Sequence, residues 1–335
     1  MSENLAIGIV GAGEITRMVH LPVLKNVGGA HVAWIADLDA QRVQTLGRAF
    51  HVERRVVLEG VLNLPPCDVV LLATPVHARQ PLLEYFGARG TSILTEKPFA
   101  VSEREHRRFL DICSNIQVGC GYMRRTFANV RALRHMLREG WFGKLRGIEY
   151  SEGGRVSKSG SSSKTLDMSY RMGGGALRDL GCHGLDTLLY MTAATDFNVL
   201  HSDIAWDKET DREVVSEFVL FLNNEKQETE CHVRFAVSWL APLSNTIVLE
   251  FERAKIRTGV HPEPGLEIQS ASQEGRWMSM SLDMQGARSS YQAFYLEWED
   301  VLASVRHATA GEFAASGSLL TTRLVDAIYE RGGGA

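Results

Sequence analysis

Gly8-Ile9-Val10-Gly11-Ala12-Gly13-Glu14-Ile15-Thr16 joins the end of an apolar segment, Leu5–Val10, to the start of an amphipathic one, Ile15–Val27. Gly11 permits a tight turn between a strand and a helix, and Gly13 lets a pyrophosphate approach the backbone. The free N–H groups at the start of the helix would point at that phosphate. Glycines in this strand–helix context predict a dinucleotide-binding βαβ unit.

An acidic residue, Asp37, follows the second apolar segment, His31–Ala36. A carboxylate at this position accepts hydrogen bonds from the adenosine ribose hydroxyls and repels a 2′-phosphate, so the pattern favours NAD, with NADP as the less favoured cofactor. The alternative is that the two glycines only form a turn and that Asp37 is a solvated strand end. Thr16 occupies the third glycine position, where its larger side chain is expected to tighten helix–strand packing and to shift the pyrophosphate.

Short apolar segments alternate with amphipathic ones over the first 120 residues. The predicted strands are Leu5–Val10, His31–Ala36, Val69–Ala73, Ser92–Thr95 and Gln117–Gly119. The predicted helices are Ile15–Val27, Ala40–Phe50, Arg79–Ala88 and Glu103–Ser114. Nearly all-apolar strands that alternate with helices indicate a parallel sheet covered on both faces, which is a doubly wound α/β (Rossmann) fold.

The pattern changes after Gly121, and we place a domain boundary there, between residues 1–121 and 122–335. Helices are predicted at Phe127–Glu139, Gly175–Thr192, Ala293–Thr309 and Ser318–Glu330. The strand Leu145–Ser151 precedes a glycine- and serine-rich loop, Gly153–Lys164, expected to lie over a site. Alternation of period two then predicts a mostly antiparallel sheet from Val214–Leu222, Glu228–Val237, Thr246–Phe251, Gly265–Ser270 and Trp277–Leu282.

Composition narrows the classes of function. The net charge is −4, with no long run of one sign, which argues against a nucleic-acid or anionic-membrane surface as the main partner. The five cysteines are scattered without a CxxC pair, so neither a disulfide framework nor a zinc site is expected. Neither a signal peptide nor a membrane span is indicated, which favours a cytoplasmic protein.

Further motifs stand later in the chain. They are Thr95-Glu96-Lys97-Pro98 and Gly173-Gly174-Gly175-Ala176-Leu177-Arg178-Asp179-Leu180-Gly181-Cys182-His183-Gly184-Leu185-Asp186. Together with Gly11-Ala12-Gly13-Glu14-Ile15 and His20-Leu21-Pro22, they closely resemble the Gfo/Idh/MocA family of sugar and polyol oxidoreductases, along essentially the whole chain. The resemblance implies that Lys97 and His183 are the catalytic pair and that Asp179 supports them. It also implies a large, open sheet in the second domain, which binds substrate and mediates a homodimer or homotetramer.

Physical chemistry is consistent with these roles. Lys97 follows a parallel strand at its carboxyl end, where open α/β sheets bind ligands, and Pro98 permits a cis peptide bond. Asp179 and His183 are four residues apart, so they share one face of an α-helix, as does Asp186 three residues further on. A carboxylate near the imidazole favours its protonated form, and His183 is then the general base for oxidation or the acid for reduction. Alternatively, the lysine is a solvated charge and the histidine a capping or packing residue.

The resemblance also gives a set of cofactor contacts. They are Gly11, Gly13, Glu14, Ile15, Asp37, Thr74, Pro75, His77, Glu96 and Lys97. One segment departs from the family, which commonly has Thr-Pro-Asn-x-x-His where this chain has Thr74-Pro75-Val76-His77-Ala78-Arg79. These positions line the nicotinamide side in the family, so hydrogen bonding there is expected to differ. His77 either substitutes for the missing groups or is simply solvated.

Substrate contacts are expected at the start of the second domain and in its glycine- and serine-rich loop. The candidates are Tyr122, Arg124, Arg125, Arg155, Lys158, Lys164 and Tyr170. Cations on a loop can bind a phosphate or carboxylate, including the diphosphate of a nucleotide-linked sugar, although a solubilising basic loop is the alternative.

The expected reaction is hydride transfer between NAD(P) and a carbinol or keto carbon of a sugar, sugar derivative or polyol. Two alternatives stay open, an imine or non-sugar ketone reductase on the same fold and a non-catalytic dinucleotide- or sugar-sensing regulator. Retention of both Lys97 and His183 argues against the regulator, which needs no proton relay.

Overall fold

The computed structural model describes residues 4–59, 63–154, 174–207, 212–224, 229–263, 265–273, 275–281 and 285–333. Their contacts divide the chain into two compact units. The first comprises residues up to Tyr122 together with Phe294–Leu319, and the second comprises Met123–Ala293 together with the chain from Leu320. The segment Phe294–Leu319 thus belongs to the first unit, although in sequence it lies between the two parts of the second one.

A parallel sheet forms the centre of the first unit, and in the described part of the chain it has six strands. They are β1 (Leu5–Val10), β2 (Ala30–Asp37), β3 (Arg54–Val57), β4 (Val69–Leu72), β5 (Ser92–Thr95) and β6 (Val118–Cys120). Their order is β3-β2-β1-β4-β5-β6, and every neighbouring pair is parallel. The order reverses between β1 and β4, so ligands are expected at the carboxyl ends of these strands.

Burial explains which strands the sequence reveals. All four residues of β4 are buried, and β1 is buried at five of six positions, so both appear as apolar runs. The edge strand β3 was missed because Arg54-Arg55-Val56-Val57 is short, half-exposed and too polar at its start to show a strand pattern.

Helices flank the parallel sheet. After a π-helical turn at Thr16–His20 come α1 (Leu21–Leu24), α2 (Ala40–Ala49), α3 (Arg79–Gly87) and α4 (Glu103–Ile112). Two of them begin at side chains that cap their free N–H groups, since Asp39 accepts from Gln41 and Arg42, and Ser102 accepts from Glu105. The sequence predicted one continuous helix over Ile15–Val27, but the structure has a wider π turn first.

The second unit is built on a mostly antiparallel sheet, for which the described residues supply eight strands. They are β7 (Leu145–Gly153), β8 (Asp196–Asp207), β9 (Arg212–Asn224), β10 (Thr229–Ser238), β11 (Thr246–Phe251), β12 (Ala254–Gly259), β13 (Gly265–Ser270) and β14 (Met278–Ser281). Their order is β14-β13-β12-β11-β7-β10-β9-β8, with the central pair β7–β10 parallel. The predicted fold class, a Rossmann domain followed by a large mostly antiparallel sheet, is confirmed.

One face of this sheet carries an aromatic core. Tyr150 stacks on Phe235 with ring centroids 4.3 Å apart, and Phe235 stacks on Phe218 at 4.7 Å. The described residues also contain the α-helices α5 (Ala128–Arg138), α6 (Cys182–Thr192), α7 (Ser290–His307) and α8 (Leu319–Arg331). Strand β8 was missed because polar residues interrupt its apolar alternation, whereas β12 was missed although its residues do alternate.

None of the helices in the described residues combines the length and the apolar character that crossing a bilayer requires.

Candidate functional site

The glycine turn after β1 has the strained geometry that the sequence predicts. Gly11 has a φ of +109°, and a Cβ atom there would lie 2.3 Å from the carbonyl oxygen of Ala73. Its N–H donates to the carbonyl oxygen of Ala36 at 2.8 Å, which ties the turn to β2. Position 11 therefore requires glycine for the fold itself.

Gly13 differs, because a Cβ atom built on it would meet no atom within 4 Å. Nor is Gly13 among the glycines of positive φ. Nothing in the described chain therefore requires glycine at this position, and the open space beside its backbone suits a ligand that approaches closely. The residues of the turn thus fit a dinucleotide pyrophosphate.

Two side chains hold the turn in place. One carboxylate oxygen of Asp37 accepts from the N–H of Ala12 at 2.6 Å, and the other accepts from the N–H of Asp39 at 2.9 Å. Thr16 is fully buried, and its hydroxyl donates to the carbonyl oxygen of Gly11 at 2.6 Å. The departure at Thr16 therefore adds a hydrogen bond to the turn.

The next two predicted cofactor contacts begin the helix. Glu14 is exposed and forms an ion pair with Arg17 at 2.7 Å, and the hydrogen bond from Arg17 holds the pKa of Glu14 below its usual range. Ile15 is half-buried. Neither placement tests contact with a dinucleotide.

The contrast between the two glycines gives a prediction. Gly13→Ala should change the free energy of unfolding by less than about 1 kcal/mol, because the methyl group enters open space. It should weaken NAD binding at least about tenfold, since the methyl group occupies the space of the pyrophosphate. Isothermal titration calorimetry and urea unfolding measure the two quantities.

Gly11→Ala serves as the matched variant. Because its methyl group would collide with Ala73 and its φ is positive, it should cost more than about 2 kcal/mol of stability before any ligand is added. Undiminished NAD affinity in a folded Gly13→Ala protein would show that the dinucleotide does not lie on this turn.

Lys97 lies just beyond the carboxyl end of β5, at the sheet edge where the glycine turn also lies. The preceding residue, Glu96, donates its N–H to the carbonyl oxygen of Leu72 at 3.1 Å, which joins this segment to β4. Lys97 is half-buried, and the Lys97–Pro98 peptide bond is cis.

The Glu96 side chain stays ionised because neighbouring groups stabilise its carboxylate form. Burial raises the pKa of its carboxyl group, but a 2.7 Å hydrogen bond with His20 and the positive charges of Lys97 and Arg79 outweigh burial. The pKa of Glu96 therefore lies below its ordinary value, and the group is a carboxylate at neutral pH.

The segment 74–79, which departs from the family pattern, places some of its side chains in solvent and buries others. Pro75 and His77 are exposed and Val76 is buried. Arg79 does not present its charge at an open surface, because its side chain is 1% exposed. The role of Thr74, Pro75 and His77 as cofactor contacts stays a prediction.

The Arg79 guanidinium binds main-chain carbonyl groups. It donates to the carbonyl oxygens of Pro98, of Phe99 at 3.1 Å and of Thr74 at 3.2 Å. Burial lowers the pKa of Arg79, and Glu96 lies among the groups that offset this effect. Arg79 thus joins the loop after β4 to the loop that carries Lys97.

Asp179 and His183 belong to the second unit, so their approach to Lys97 remains a prediction. Residues Leu177–Gly181 form a π-helical turn, and α6 begins only at Cys182. Asp179 is half-buried within the π turn, while His183 is 9% exposed on α6. The four-residue repeat of a regular α-helix therefore does not relate them, and the support of His183 by Asp179 also stays a prediction.

A buried carboxylate fixes the start of this helical segment. Glu213 accepts from the N–H of Leu177 and from the hydroxyl of Tyr329, both at 2.8 Å. Burial raises the pKa of Glu213 to about 7. Gly175 has a φ of +117°, and a Cβ atom there would lie 1.8 Å from this carboxylate, which explains the glycine.

Two of the candidate substrate residues are committed to ion pairs within the second unit. Arg124 donates to both oxygens of Glu152, at 2.8 and 2.7 Å, and Arg125 donates to Asp186 at 2.8 Å. Burial lowers the pKa of Arg124, but Tyr150 and Glu152 raise it above its ordinary value. Asp186 therefore neutralises Arg125, and it lies three residues after His183 within α6.

Of the other candidate substrate-binding residues, the structure describes Tyr122. Tyr122 is 1% exposed at the end of the first unit. Arg155, Lys158, Lys164 and Tyr170 lie outside the described residues.

Three functional features escaped sequence reasoning. The target of Arg79 is main-chain carbonyl oxygen, which no side-chain pattern reveals. Glu213 caps a helix 36 residues before it in the chain, so spacing gave no signal. His20 belongs to one motif and Glu96 to the next, and no sequence pattern indicates the hydrogen bond that joins them.

The six-stranded parallel order in the described residues, the glycine turn and the acid at position 37 define a dinucleotide-binding Rossmann domain. A family model described as an oxidoreductase family with an NAD-binding Rossmann fold matches residues 5–123. The C-terminal domain model of the same family matches residues 130–257. The chain therefore belongs to the Gfo/Idh/MocA oxidoreductase family, which confirms the resemblance and the nicotinamide-dinucleotide class of cofactor.

Relatives and a solved structure agree with this assignment. The chain is 28% identical to the rhizopine catabolism protein MocA of Rhizobium meliloti, over 58% of this chain and 60% of that protein. It is also 28% identical to an inositol 2-dehydrogenase of Corynebacterium glutamicum (strain R), over 43% of this chain and 44% of that protein. The chain thus aligns with less than two thirds of these relatives.

A crystal structure of an oxidoreductase from Agrobacterium radiobacter, in complex with NAD+, L-tartaric acid and magnesium, has the same fold. It superposes with a TM-score of 0.82 at 20% identity, over 98% of this chain and 96% of that one.

Proposed function

We propose that the chain catalyses reversible hydride transfer between NAD, in preference to NADP, and a carbinol or keto carbon of a sugar, sugar derivative or polyol. The observation that carries this proposal is the position of Lys97, at the carboxyl end of β5 and beside the Glu96 carboxylate, in the unit that also holds the glycine turn. Ligands bind at these strand ends in doubly wound sheets. A relative named inositol 2-dehydrogenase supports a polyol-like substrate.

The proposed division of roles follows from the chemistry of the side chains. When bound, the nicotinamide supplies a carbon that accepts or returns hydride. Lys97 donates a hydrogen bond to the substrate oxygen, and His183 removes the hydroxyl proton in oxidation or returns it in reduction. Asp179 orients His183. Gly13 and Asp37 hold the pyrophosphate and the adenosine ribose.

Substrate recognition is proposed to involve Tyr122, Arg124, Arg155 and Tyr170. Because Glu152 already binds the Arg124 guanidinium through both of its oxygens, we assign Arg124 the task of ordering the end of β7. We assign the binding of a charged substrate group to Arg155 instead.

We also propose a homodimer or homotetramer, formed through the face of the large sheet opposite its aromatic core, in a cytoplasmic protein. Half-exposed Val219 and Phe221 lie on that face. An ion pair joins Arg234 to Glu149 on the neighbouring strand. Mixed apolar and paired charged groups suit an interface between copies of the chain.

Turnover tests the proposed reaction. Polyols, aldoses, ketoses and nucleotide-linked sugars are incubated with the protein and NAD or NADH, and absorbance at the NADH band is followed. We expect reaction with at least one member of the panel. Tight NAD binding without turnover would favour the sensing regulator, and turnover of imines alone would favour the reductase alternative.

Cofactor preference gives a separate prediction. Asp37→Asn keeps an oxygen that can accept from the N–H of Ala12, although it loses the acceptor for the N–H of Asp39. It removes the negative charge that repels a 2′-phosphate. The ratio of kcat/KM for NAD to that for NADP should fall at least about tenfold. The exposed Asp111→Asn serves as the control of equal charge change, and an unaltered ratio in Asp37→Asn would contradict the role of Asp37.

A further inference from the structure

His20, the first residue of the motif His20-Leu21-Pro22, lies in the interior of the first unit, where its side chain is 1% exposed. Its Nε2 atom is 2.7 Å from an oxygen of Glu96. Its Nδ1 atom accepts a 3.1 Å hydrogen bond from the indole N–H of Trp298, which comes from α7. Neither the family assignment nor the proposed roles give His20 or Trp298 a function.

The partners of the ring determine which nitrogen carries its proton. An indole N–H can only donate, so Nδ1 of His20 must present a lone pair. The proton of the neutral ring is then on Nε2 and points at Glu96. A second proton on Nδ1 would face the indole N–H, so Trp298, which is fully buried, favours the neutral ring.

The surroundings hold the ring in this orientation. Phe294 and Trp298 meet it edge-on, with ring centroids 5.4 and 6.0 Å away. His20 thus connects Trp298 of α7 to Glu96 through two hydrogen bonds, which fix the orientation of its ring. Besides the hydrogen bond from His20, the positive charges of Lys97 and Arg79 stabilise the Glu96 carboxylate.

We propose that His20 and Trp298 are positioning residues that hold the Glu96 carboxylate in place as the counter-charge of the Lys97 ammonium group. The proposal rests on the proposed function, because it concerns the group that hydrogen-bonds the substrate oxygen. A carboxylate beside an ammonium group stabilises its charged form. Loss of the His20 contact should let Glu96 move, so that Lys97 loses its proton at a lower pH.

Other ionisable groups surround these side chains, and each can respond to the same substitutions. His20, Lys97 and Arg79 act on the charge of Glu96. Cys120, Tyr122 and Glu105 act on that of Arg79. Glu297 of α7 lies close by, with an oxygen 3.3 Å from where a Cβ atom of Gly121 would be. The test therefore compares variants that differ only in hydrogen bonding at His20.

The first measurement needs neither cofactor nor substrate. The ¹⁵N chemical shifts of the histidine rings in the unliganded protein, assigned with His20→Gln, report the tautomer and protonation of His20. We expect the Nε2-protonated tautomer, with a lone pair on Nδ1. In Trp298→Phe, which removes the indole N–H, the ¹⁵N resonance of Nδ1 should shift because this atom loses its hydrogen-bond donor. A proton on Nδ1 in the wild-type protein would overturn the proposal.

The second measurement is the dependence of kcat on pH. His20→Leu removes both hydrogen bonds and should lower kcat about tenfold, with the alkaline limb of the profile moved to lower pH. His20→Gln can donate to Glu96 and accept from Trp298, so it should stay within about threefold of the wild type. If His20→Leu does not fold, Trp298→Phe supplies the same comparison, with a smaller loss and the same direction of pH shift.

Failure of this proposal is distinguishable from failure of the proposed function. If Lys97→Met is inactive but His20→Leu and Trp298→Phe keep the wild-type rate and pH profile, the positioning role is wrong and the function stands. If the wild-type protein turns over no member of the panel, the proposed function is wrong, and the role of Glu96 beside a catalytic lysine falls with it.

Discussion

Replacing Lys97 with methionine is expected to lower kcat about 10³-fold, the order of effect of a group that acts on a proton or on developing charge in the transition state. Methionine keeps most of the length of the side chain and removes its charge. The affinity for NAD should change by no more than a few-fold, because the glycine turn and Asp37 are intact. Steady-state kinetics and calorimetric titration of NAD separate the two effects.

Lys25→Met is the matched control, since Lys25 is an exposed lysine of the same unit and lies outside the proposed site. It should retain wild-type kcat and NAD affinity. An unchanged rate in Lys97→Met would remove Lys97 from the mechanism. A loss of NAD affinity as large as the loss of rate would instead make Lys97 a cofactor-binding residue.

Replacing Arg79 with leucine is expected to lower the free energy of unfolding by about 2–4 kcal/mol. The carbonyl oxygens of Thr74, Pro98 and Phe99 would lose a donor in a site closed to water, and release of the buried charge would offset only part of that cost. Because two of these carbonyl groups directly follow Lys97, kcat should fall as well. Urea unfolding and kinetics under stable conditions measure the two effects.

Arg79→Lys should be intermediate, since an ammonium group keeps the charge but cannot reproduce the planar donor fork of a guanidinium. Arg89→Leu is the control on the neighbouring surface, where Arg89 is exposed and lies over the ring of Tyr85. It should cost less than about 1 kcal/mol. Wild-type stability in Arg79→Leu would mean that the three carbonyl groups do not depend on Arg79.

Features that depend on neighbouring residues could be predicted from the sequence. The strands β1 and β4 appear as apolar runs because the parallel sheet buries both of their faces. The turn at Gly11 was predictable because only glycine adopts its φ without strain. Edge strands such as β3 were not, because a half-exposed strand has no apolar run to detect.

The family motifs gave the identities of candidate site residues but not their environments. His20 and Trp298 are 278 residues apart, and no local pattern indicates that they share a hydrogen bond. Arg79 was recognised as a departure, yet its contacts with main-chain oxygens could not be inferred from side-chain types. The spacing of Asp179 and His183 implied a regular helix, but the structure has a π turn there.

By itself, the sequence determined the doubly wound unit, its glycine turn and the family, because these depend on burial periodicity and on residues that few others can replace. Only the tertiary structure decided which groups lie around Lys97. Hydrogen bonds to Glu96 and to the loop after Pro98 come from segments distant in the chain, and their geometry exists only once the sheet has brought those segments together.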